Sequence, residues 1–276
     1  MTLRQIGEPF TMATIKDVAR VSGYSVCTVS KALSGKGYVK DSTKEKILQV
    51  VDQIGYQRNH LAVSLKTGRT RALALIVPDV MNVYFSRLQK YVDYYGSQFG
   101  YMVYLCNTNN SLERERSYVR NLSEGRVDGV LITPCTPEHD HIRKLRQAGI
   151  PYIYMNRYFE DEPERCLPLN NGKGGYECVS YLVRNGFRRI GGIFQSFSNT
   201  SFVERYQGMK EALEEAGLCL DEGMCLFDMD DLDNAHLKIR SLLTGGKRPE
   251  AIFAANDMLA LSVYQAAYEC GLRIPD

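Results

Sequence analysis

Tryptophan is absent from the chain, and none of its eight cysteines stands in C-x-x-C spacing with another. Scattered singly at Cys27, Cys106, Cys135, Cys166, Cys178, Cys219, Cys225 and Cys270, they supply neither a zinc pattern nor a disulfide framework. Several lie in apolar runs, as in Tyr104-Leu105-Cys106, and read as small buried hydrophobes in a reducing compartment. The four histidines give a metal no usable spacing; His139 and His141 read as part of a surface loop. No apolar run approaches the roughly 20 residues that span a bilayer, and the N-terminus lacks a signal-peptide core. These absences point to a cytoplasmic protein with no membrane, metal or cofactor. No nucleophile, histidine and acid gather at the ends of predicted strands, so nothing indicates an enzyme.

What is present is an ordinary globular composition, 44% hydrophobic and 24% charged, in a chain long enough for one large or two unequal domains. The net charge of +2 conceals an asymmetry. Residues 13–68 hold nine basic against four acidic side chains, or +5, and residues 1–12 balance Arg4 against Glu8. Residues 69–276 hold 24 basic against 27 acidic, or −3. A basic front on a mildly acidic body suits a polyanion-binding module joined to a regulatory domain.

The front reads as three short helices. Thr14 caps the first, whose Ile15, Val18 and Ala19 share one face; Gly23 supplies the turn and Ser25 caps the second. In that second helix Val29 and Leu33 face inward, leaving Val26, Cys27, Ser30 and Lys31 outward. Ser42-x-x-Glu45 reads as a capping box opening a third helix, with Ile47, Leu48, Val51 and Ile54 inward and a stop at Gly55. This is the spacing of a helix-turn-helix.

The literal sequence is more specific. Ala13-Thr-Ile-Lys-Asp-Val-Ala-Arg20, Ser22-Gly-Tyr-Ser25, Thr28-Val-Ser-Lys-Ala-Leu-Ser-Gly35, Ser42-Thr-Lys-Glu-Lys46 and Ile54-Gly-Tyr56 resemble, in register, the headpiece of the lactose/galactose-repressor (LacI/GalR) family. The resemblance implies double-stranded DNA as partner, with Val26, Cys27 and Lys31 as base-reading residues. Lys31 can donate to guanine and Val26 can touch a thymine methyl. Thr14, Ser25, Thr28 and Ser30 are short hydroxyls suited to phosphates, although Ser25 and Thr28 serve equally as helix caps. The resemblance also implies a hinge over residues 59–70, in which Asn59, Ala62 and Leu65 hold the key places and Leu65 wedges into the minor groove. Arg58 stands where the family has proline, and Val63 where it has Arg or Gln.

From Ala72 onward, strand patterns (72–77, 101–106, 130–133, 152–155, 190–194, 251–254) alternate with amphipathic helical ones (84–99, 112–123, 142–148, 176–185, 203–216, 235–243). Such alternation builds parallel sheets covered on both faces, with ligands beyond the carboxyl ends of the strands. Ile76-Val-Pro-Asp79, Glu113-Arg-Glu-Arg116, Arg126-Val-Asp-Gly-Val-Leu-Ile132, Gly186-Phe-Arg-Arg-Ile190, Arg205-x-x-Gly208 and Ala254-Ala-Asn-Asp257 again resemble the same family. The fold so implied is a small all-α helix-turn-helix headpiece plus an α/β, periplasmic-binding-protein-like core of two Rossmann-like lobes. The expected division is an extension over 1–12, headpiece 13–58, hinge 59–70, first lobe 71–168 and second lobe 169–276.

Family effector contacts map onto Tyr84, Phe85, Cys135, Asn156, Arg157, Arg205 and Asn256, a set whose amides, forks and rings suit a sugar-like small molecule. Asn156 stands where Asp is common, which alters the range of sugars, nucleosides or other ligands accepted. Asn171-Gly-Lys-Gly-Gly175 lacks P-loop spacing and reads as a helix entrance. The chain stops at Pro275-Asp276 where family members run on, so the second lobe is expected to be incomplete, in a fragment or a shortened protein. Together these readings describe a homodimeric transcriptional repressor, its affinity for a pseudo-palindromic operator set by a ligand between the lobes. The rival is a ligand receptor of the same fold without DNA function.

Lys31→Ala is expected to lower operator affinity and change base preference, whereas Lys44→Ala weakens binding to every sequence alike. Gel-shift titrations on specific and random duplexes check this; equal losses on both for Lys31→Ala would defeat the assignment.

Overall fold

The computed structural model describes residues 13–35, 37–57, 64 and 68–275. The expected N-terminal extension and the hinge positions Arg58, Asn59, Ala62, Val63 and Leu65 lie outside the described residues. The chain divides into two compact units, Met1–Gly68 and Arg69–Asp276.

The first unit packs α1 (Ile15–Ser22), α2 (Val26–Ser34) and α3 (Asp41–Ile54) around Val18, Ala19, Val29, Ala32 and Ile47. Each fully buried Val or Ile contributes about 1.5–3 kcal/mol relative to exposure, so this small core rests on very few side chains. At the head of α1 the Asp17 carboxylate accepts from both the Thr14 N–H (3.0 Å) and the Thr14 hydroxyl (2.7 Å). Gly23 turns the chain at φ +76°, in the left-handed region closed to most side chains, and Ser25 Oγ then accepts the Thr28 N–H at 3.1 Å. Two expectations for α3 need correction. The helix begins at Asp41 with Lys40 in the cap position, so Ser42 already lies in the first turn and forms no capping box. Leu48 is exposed, and Val50 packs inward beside Ile47, Val51 and Ile54, because position 48 lies about 100° around the helix from position 47.

The second unit carries two parallel sheets. The first has the order β2-β1-β3-β4-β5, with β1 Ala72–Val77, β2 Met102–Asn107, β3 Gly129–Ile132, β4 Tyr152–Met155 and β5 Cys166–Leu167. The second has the order β7-β6-β8, with β6 Ile190–Ile193, β7 Cys225–Leu226 and β8 Ala251–Ala254. Strand β1 shows why its sequence is apolar throughout. Ala74 and Ile76 enter one core with Val130, Ile132 and Tyr154, while Leu75 and Val77 enter another with Phe85. The crossovers are α4 (Val83–Gln98), α5 (Leu112–Leu122) and α6 (Lys144–Gln147) on the first sheet and α8 (Thr200–Glu215) and α9 (Leu232–Thr244) on the second; α7 (Asn171–Arg184) leads from the first sheet to the second, and α10 (Asp257–Glu269) follows β8. A separate core gathers Ile190, Ile193, Phe194, Phe202, Met209, Phe253 and Leu259 around the second sheet. No helix among the described residues is long and apolar enough to cross a membrane.

Helix α7 starts five residues before its expected position. Asn170 Oδ1 caps it by accepting the Lys173 N–H at 3.0 Å, and two of its three glycines, Gly172 and Gly175, lie against the backbone of α8. A Cβ on Gly208 would lie 2.0 Å from the Gly172 carbonyl oxygen and 2.7 Å from the Tyr176 nitrogen; one on Gly175 would lie 2.2 Å from the Arg205 carbonyl oxygen. Helices α7 and α8 therefore meet backbone to backbone, which fixes the position of Arg205 on α8.

Gly208→Ala is expected to destabilise the protein by about 2–3 kcal/mol or more, since rigid backbone must move. Gly174→Ala, with nothing within 4 Å of its would-be Cβ, should instead be neutral or stabilise by about 0.5–1 kcal/mol. Urea titration distinguishes the two.

Candidate functional site

Two surfaces concentrate the sequence-expected residues, one in each unit. In the first unit, the burial of Val29 and Ala32 locks the rotation of α2, so its other face must point to solvent. Val26 is 42% exposed, Cys27 is exposed beside it in the first turn, and Lys31 is exposed further along the helix. All three expected base-reading residues thus share one accessible face. Ser25 is engaged as the cap, its Oγ also 2.9 Å from the Thr28 hydroxyl, and the Thr14 hydroxyl is donated to Asp17. Of the expected phosphate-seeking hydroxyls, Ser30 is half-buried on α2. Helix α2 presents its unsatisfied N-terminal N–H groups and partial positive charge at the same end.

In the second unit, the carboxyl ends of the strands bring together residues from both sheets. Tyr84 stands half-buried in the first turn of α4, after β1, where the Asn82 side chain accepts its N–H at 3.0 Å. Phe85 turns the other way, into the core with Leu75 and Val77, its ring edge-on to Tyr84 at 5.0 Å. Asn156 follows β4 at φ +55°, a conformation asparagine tolerates better than most residues, and it directs the next residue, Arg157, inward. The Arg157 side chain is 6% exposed. Its Nη1 donates to the Asn156 carbonyl at 2.8 Å and to Ser201 Oγ at 2.9 Å. Ser201 lies in the first turn of α8, after β6, and its hydroxyl approaches the Asn156 carbonyl oxygen at 3.3 Å. This bridge joins the end of the first sheet to the start of the helix that follows β6 in the second.

Arg205, one turn further along α8, donates from Nε (3.1 Å) and Nη2 (2.9 Å) to Asn171 Oδ1, and from Nη1 to the Ala255 carbonyl. Asn256 caps α10, accepting the Leu259 N–H at 2.8 Å, and its Nδ2 donates to Gln195 Oε1 at 2.8 Å. Burial pushes the Arg157 guanidinium down to about 10, with repulsion from Arg205 adding to it. Burial likewise lowers Arg205, against the attraction of Tyr84, and burial raises the Tyr84 phenol, against the attraction of both arginines. Tyr84, Arg157 and Arg205 thus form one electrostatic cluster.

The structure adds residues that sequence reasoning passed over. Glu115 on α5 is fully buried, one oxygen accepting the Cys135 N–H at 2.8 Å and the other facing His141 Nε2 at 2.9 Å. His141 is therefore no surface-loop residue: the loop after β3 folds back so that the imidazole meets a carboxylate which would otherwise be buried alone. His139 is mostly covered too, against the Phe159 ring at 4.0 Å and bonded to Asp161. Burial, with Glu115 nearby, pushes the Cys135 thiol up to about 12, so it is an inert wall group. Asn171 and Gln195 hold Arg205 and Asn256 in place. The available signal for Glu115 was a polar residue at an inward position of an amphipathic helix; Asn171 stood at an expected helix entrance. A surface groove of ≈ 430 Å³, lined by Leu232, Leu237, Met258 and Leu261 together with Asp233, His236, Ser262 and Gln265, shares no residue with this cluster. Among the described residues, no group of His, Cys, Asp and Glu is placed to hold a metal ion.

Two family models match the chain. Residues 14–59 match "Bacterial regulatory proteins, lacI family", and residues 70–276 match "Periplasmic binding proteins and sugar binding domain of LacI family". The chain is 35% identical over 267 residues to the HTH-type transcriptional repressor PurR of Vibrio atlanticus (strain LGP32), a match covering 96% of this chain and 80% of the relative. A solved complex of the transcriptional regulator CelR with cellobiose is similar at 27% identity and TM-score 0.67, over 95% of this chain and 80% of that one. The Lac repressor bound to ONPG in the repressed state has the same fold, with TM-score 0.82 at 22% identity over 96% and 80% of the two chains.

Glu115→Ala is expected to cost about 3–5 kcal/mol, because it strands the buried His141 ring and the Cys135 N–H. Glu115→Gln keeps one acceptor and should cost clearly less. Thermal and urea unfolding of both variants tests the ranking.

Proposed function

Because the chain belongs to the LacI family of bacterial regulatory proteins, and so is a DNA-binding transcriptional regulator, we propose that it represses by seating α2 in the major groove of a pseudo-palindromic operator. The observation that carries this reading is the single exposed face made by Val26, Cys27 and Lys31 on a helix whose rotation is fixed by Val29 and Ala32. Lys31 reads guanine, Val26 meets a thymine methyl, and Cys27 stands between them on the base edges. Thr14, Ser25, Thr28 and Ser30 line the flanks, where a phosphate backbone would run; Ser25 and Thr28 keep their capping bonds while doing so. The assignment of Asn59, Ala62 and Leu65 to a minor-groove hinge rests on sequence resemblance.

The regulatory input is a small molecule held where the strand ends of the two sheets meet. Tyr84, Arg157 and Arg205 supply donors and a ring face there, Asn156 an amide, Asn256 and Cys135 the wall, and Phe85 backs Tyr84 from the core. The cellobiose held by the relative supports a carbohydrate-like class for this occupant. Two chains act together, each reading one half-site, and the ligand changes DNA affinity only as far as it prefers one arrangement of the pair.

Sites selected by the purified protein from a random duplex pool should be inverted repeats, bound at least about 10³-fold more tightly than random DNA. Adding half a helical turn between the half-sites should abolish that preference. Selected sites without inverted symmetry would contradict the paired reading, and no selectable site would contradict the DNA-reading role of α2.

A further inference from the structure

We propose that Asp128 is a positioning residue for DNA binding: by clamping Thr70 and Arg71 it fixes the direction in which the chain leaves the second unit. The inference rests on the reading that two chains address one inverted repeat, and it names a residue that sets the spacing between the half-sites.

The second unit begins at Arg69, and β1 starts three residues later at Ala72. Asp128 lies immediately ahead of β3, which pairs with β1 in the register Leu73↔Gly129. One Asp128 oxygen accepts the Thr70 N–H at 2.6 Å and the Thr70 hydroxyl at 2.8 Å, and the other accepts the Arg71 N–H at 3.1 Å. The Asp128 N–H in turn donates to the Ala72 carbonyl at 2.7 Å, and the Thr70 hydroxyl oxygen accepts the Ala72 N–H at 3.3 Å. From the opposite side the Arg71 carbonyl accepts the Met102 N–H at 2.9 Å, while the Arg71 guanidinium donates to the Phe99 carbonyl at 3.2 Å. Burial works against the Asp128 carboxylate, yet the Thr70 donors, the Arg71 N–H and the attraction of Arg69 hold its carboxyl below the usual range. These are charge-assisted bonds, stronger than those of the strand ladder.

The clamp holds an unfavourable backbone. Arg71 has φ +57°, and of the five non-glycine residues with positive φ among those described, the other four are Asn or Asp. Those two side chains ease the left-handed conformation by local hydrogen bonding, and arginine does not. Entry into β1 requires no such turn, since an extended residue would continue the strand. A strained residue of this kind persists only where its neighbours over-determine it. Here they break the line of β1 just where the chain comes in from the DNA-binding unit. A fixed exit confines each unit to a narrow range of positions, so the effective concentration for the second half-site is concentrated at one spacing. A loose exit spreads it over many.

Gel-shift titration of the full chain tests this, using the duplex it selects from a random pool and the same duplex with one base pair added or removed between the half-sites. The readout is the ratio of affinities for the selected and altered spacings. Loss of folded protein scales both affinities alike and leaves that ratio unmoved. Asp128→Asn replaces an acceptor with a donor facing donors, and Thr70→Val removes the hydroxyl while keeping the shape. Each should lower the ratio about threefold or more, whereas Thr70→Ser, which keeps the hydroxyl, should preserve it. Thr70→Val leaves the carboxylate in place and carries the test where Asp128→Asn folds poorly. An unchanged ratio in Thr70→Val or in folded Asp128→Asn overturns the inference and leaves the paired reading intact. A loss in Thr70→Ser equal to that in Thr70→Val overturns it too, as does a wild type indifferent to spacing. A wild type that selects no inverted repeat overturns both.

Discussion

Placing a guanidinium where water cannot reach it, at the point where two parallel sheets meet, is the constraint around which the second unit is arranged. The Arg157 side chain reaches that point because Asn156 adopts a left-handed turn at the end of β4, and it is held there by Ser201 from the helix that follows β6. Arg205 is brought alongside by a different device. Glycines at 175 and 208 let α7 and α8 touch through their backbones, and Asn171 at the start of α7 clamps the fork. On the other flank Glu115 is driven into the first lobe and ties the loop after β3 to α5 through Cys135 and His141. Each of these arrangements would be an expensive oddity in a purely structural core. Together they make a buried polar junction in which Arg157 and Arg205 are held by neutral acceptors and attracted by nearby acidic side chains.

The headpiece obeys a simpler constraint. Its core is so small that the burial of Val18, Val29 and Ile47 determines the rotation of all three helices, and the outward face of α2 follows by exclusion. Val26, Cys27 and Lys31, the residues proposed to read DNA, are exposed on that face.

Periodic features were legible in the sequence. The strands at 72–77, 152–155 and 251–254 match residue for residue, because a short apolar run between turn signals has few alternative registers. The two-residue strands β5 and β7 offered no period to detect, and the helix at 144–147 is shorter than its apolar spacing suggested. Residues 171–175 read as a helix entrance, and the structure makes them the first turn of α7; the helical pattern itself is legible only from 176, because Gly172, Gly174 and Gly175 carry no side-chain period. Two of them, Gly172 and Gly175, pack against Glu204 and Arg205 on a helix distant in sequence, which local propensity does not encode. The same holds for the site. Tyr84, Arg157 and Arg205 were identified from resemblance, and their proximity is a property of the fold. Glu115, Asn171 and Ser201 gave only a weak signal, since a polar side chain at an inward helix position is indistinguishable in sequence from a solvated one. His141 was misjudged for the same reason: the burial of a loop histidine depends on the carboxylate it meets, twenty-six positions earlier.

If ligand and DNA act through one chain, the free energy of coupling between them must be the same seen from either side. The most direct measurement is therefore a four-way thermodynamic box: ligand affinity of the free protein and of the protein saturated with its selected operator, and operator affinity with and without saturating ligand. The account predicts that both ratios depart from one by the same factor, about 5–150-fold for a regulatory coupling, and that Arg157→Gln returns both towards one. A ligand that binds free and operator-bound protein with equal affinity would contradict it.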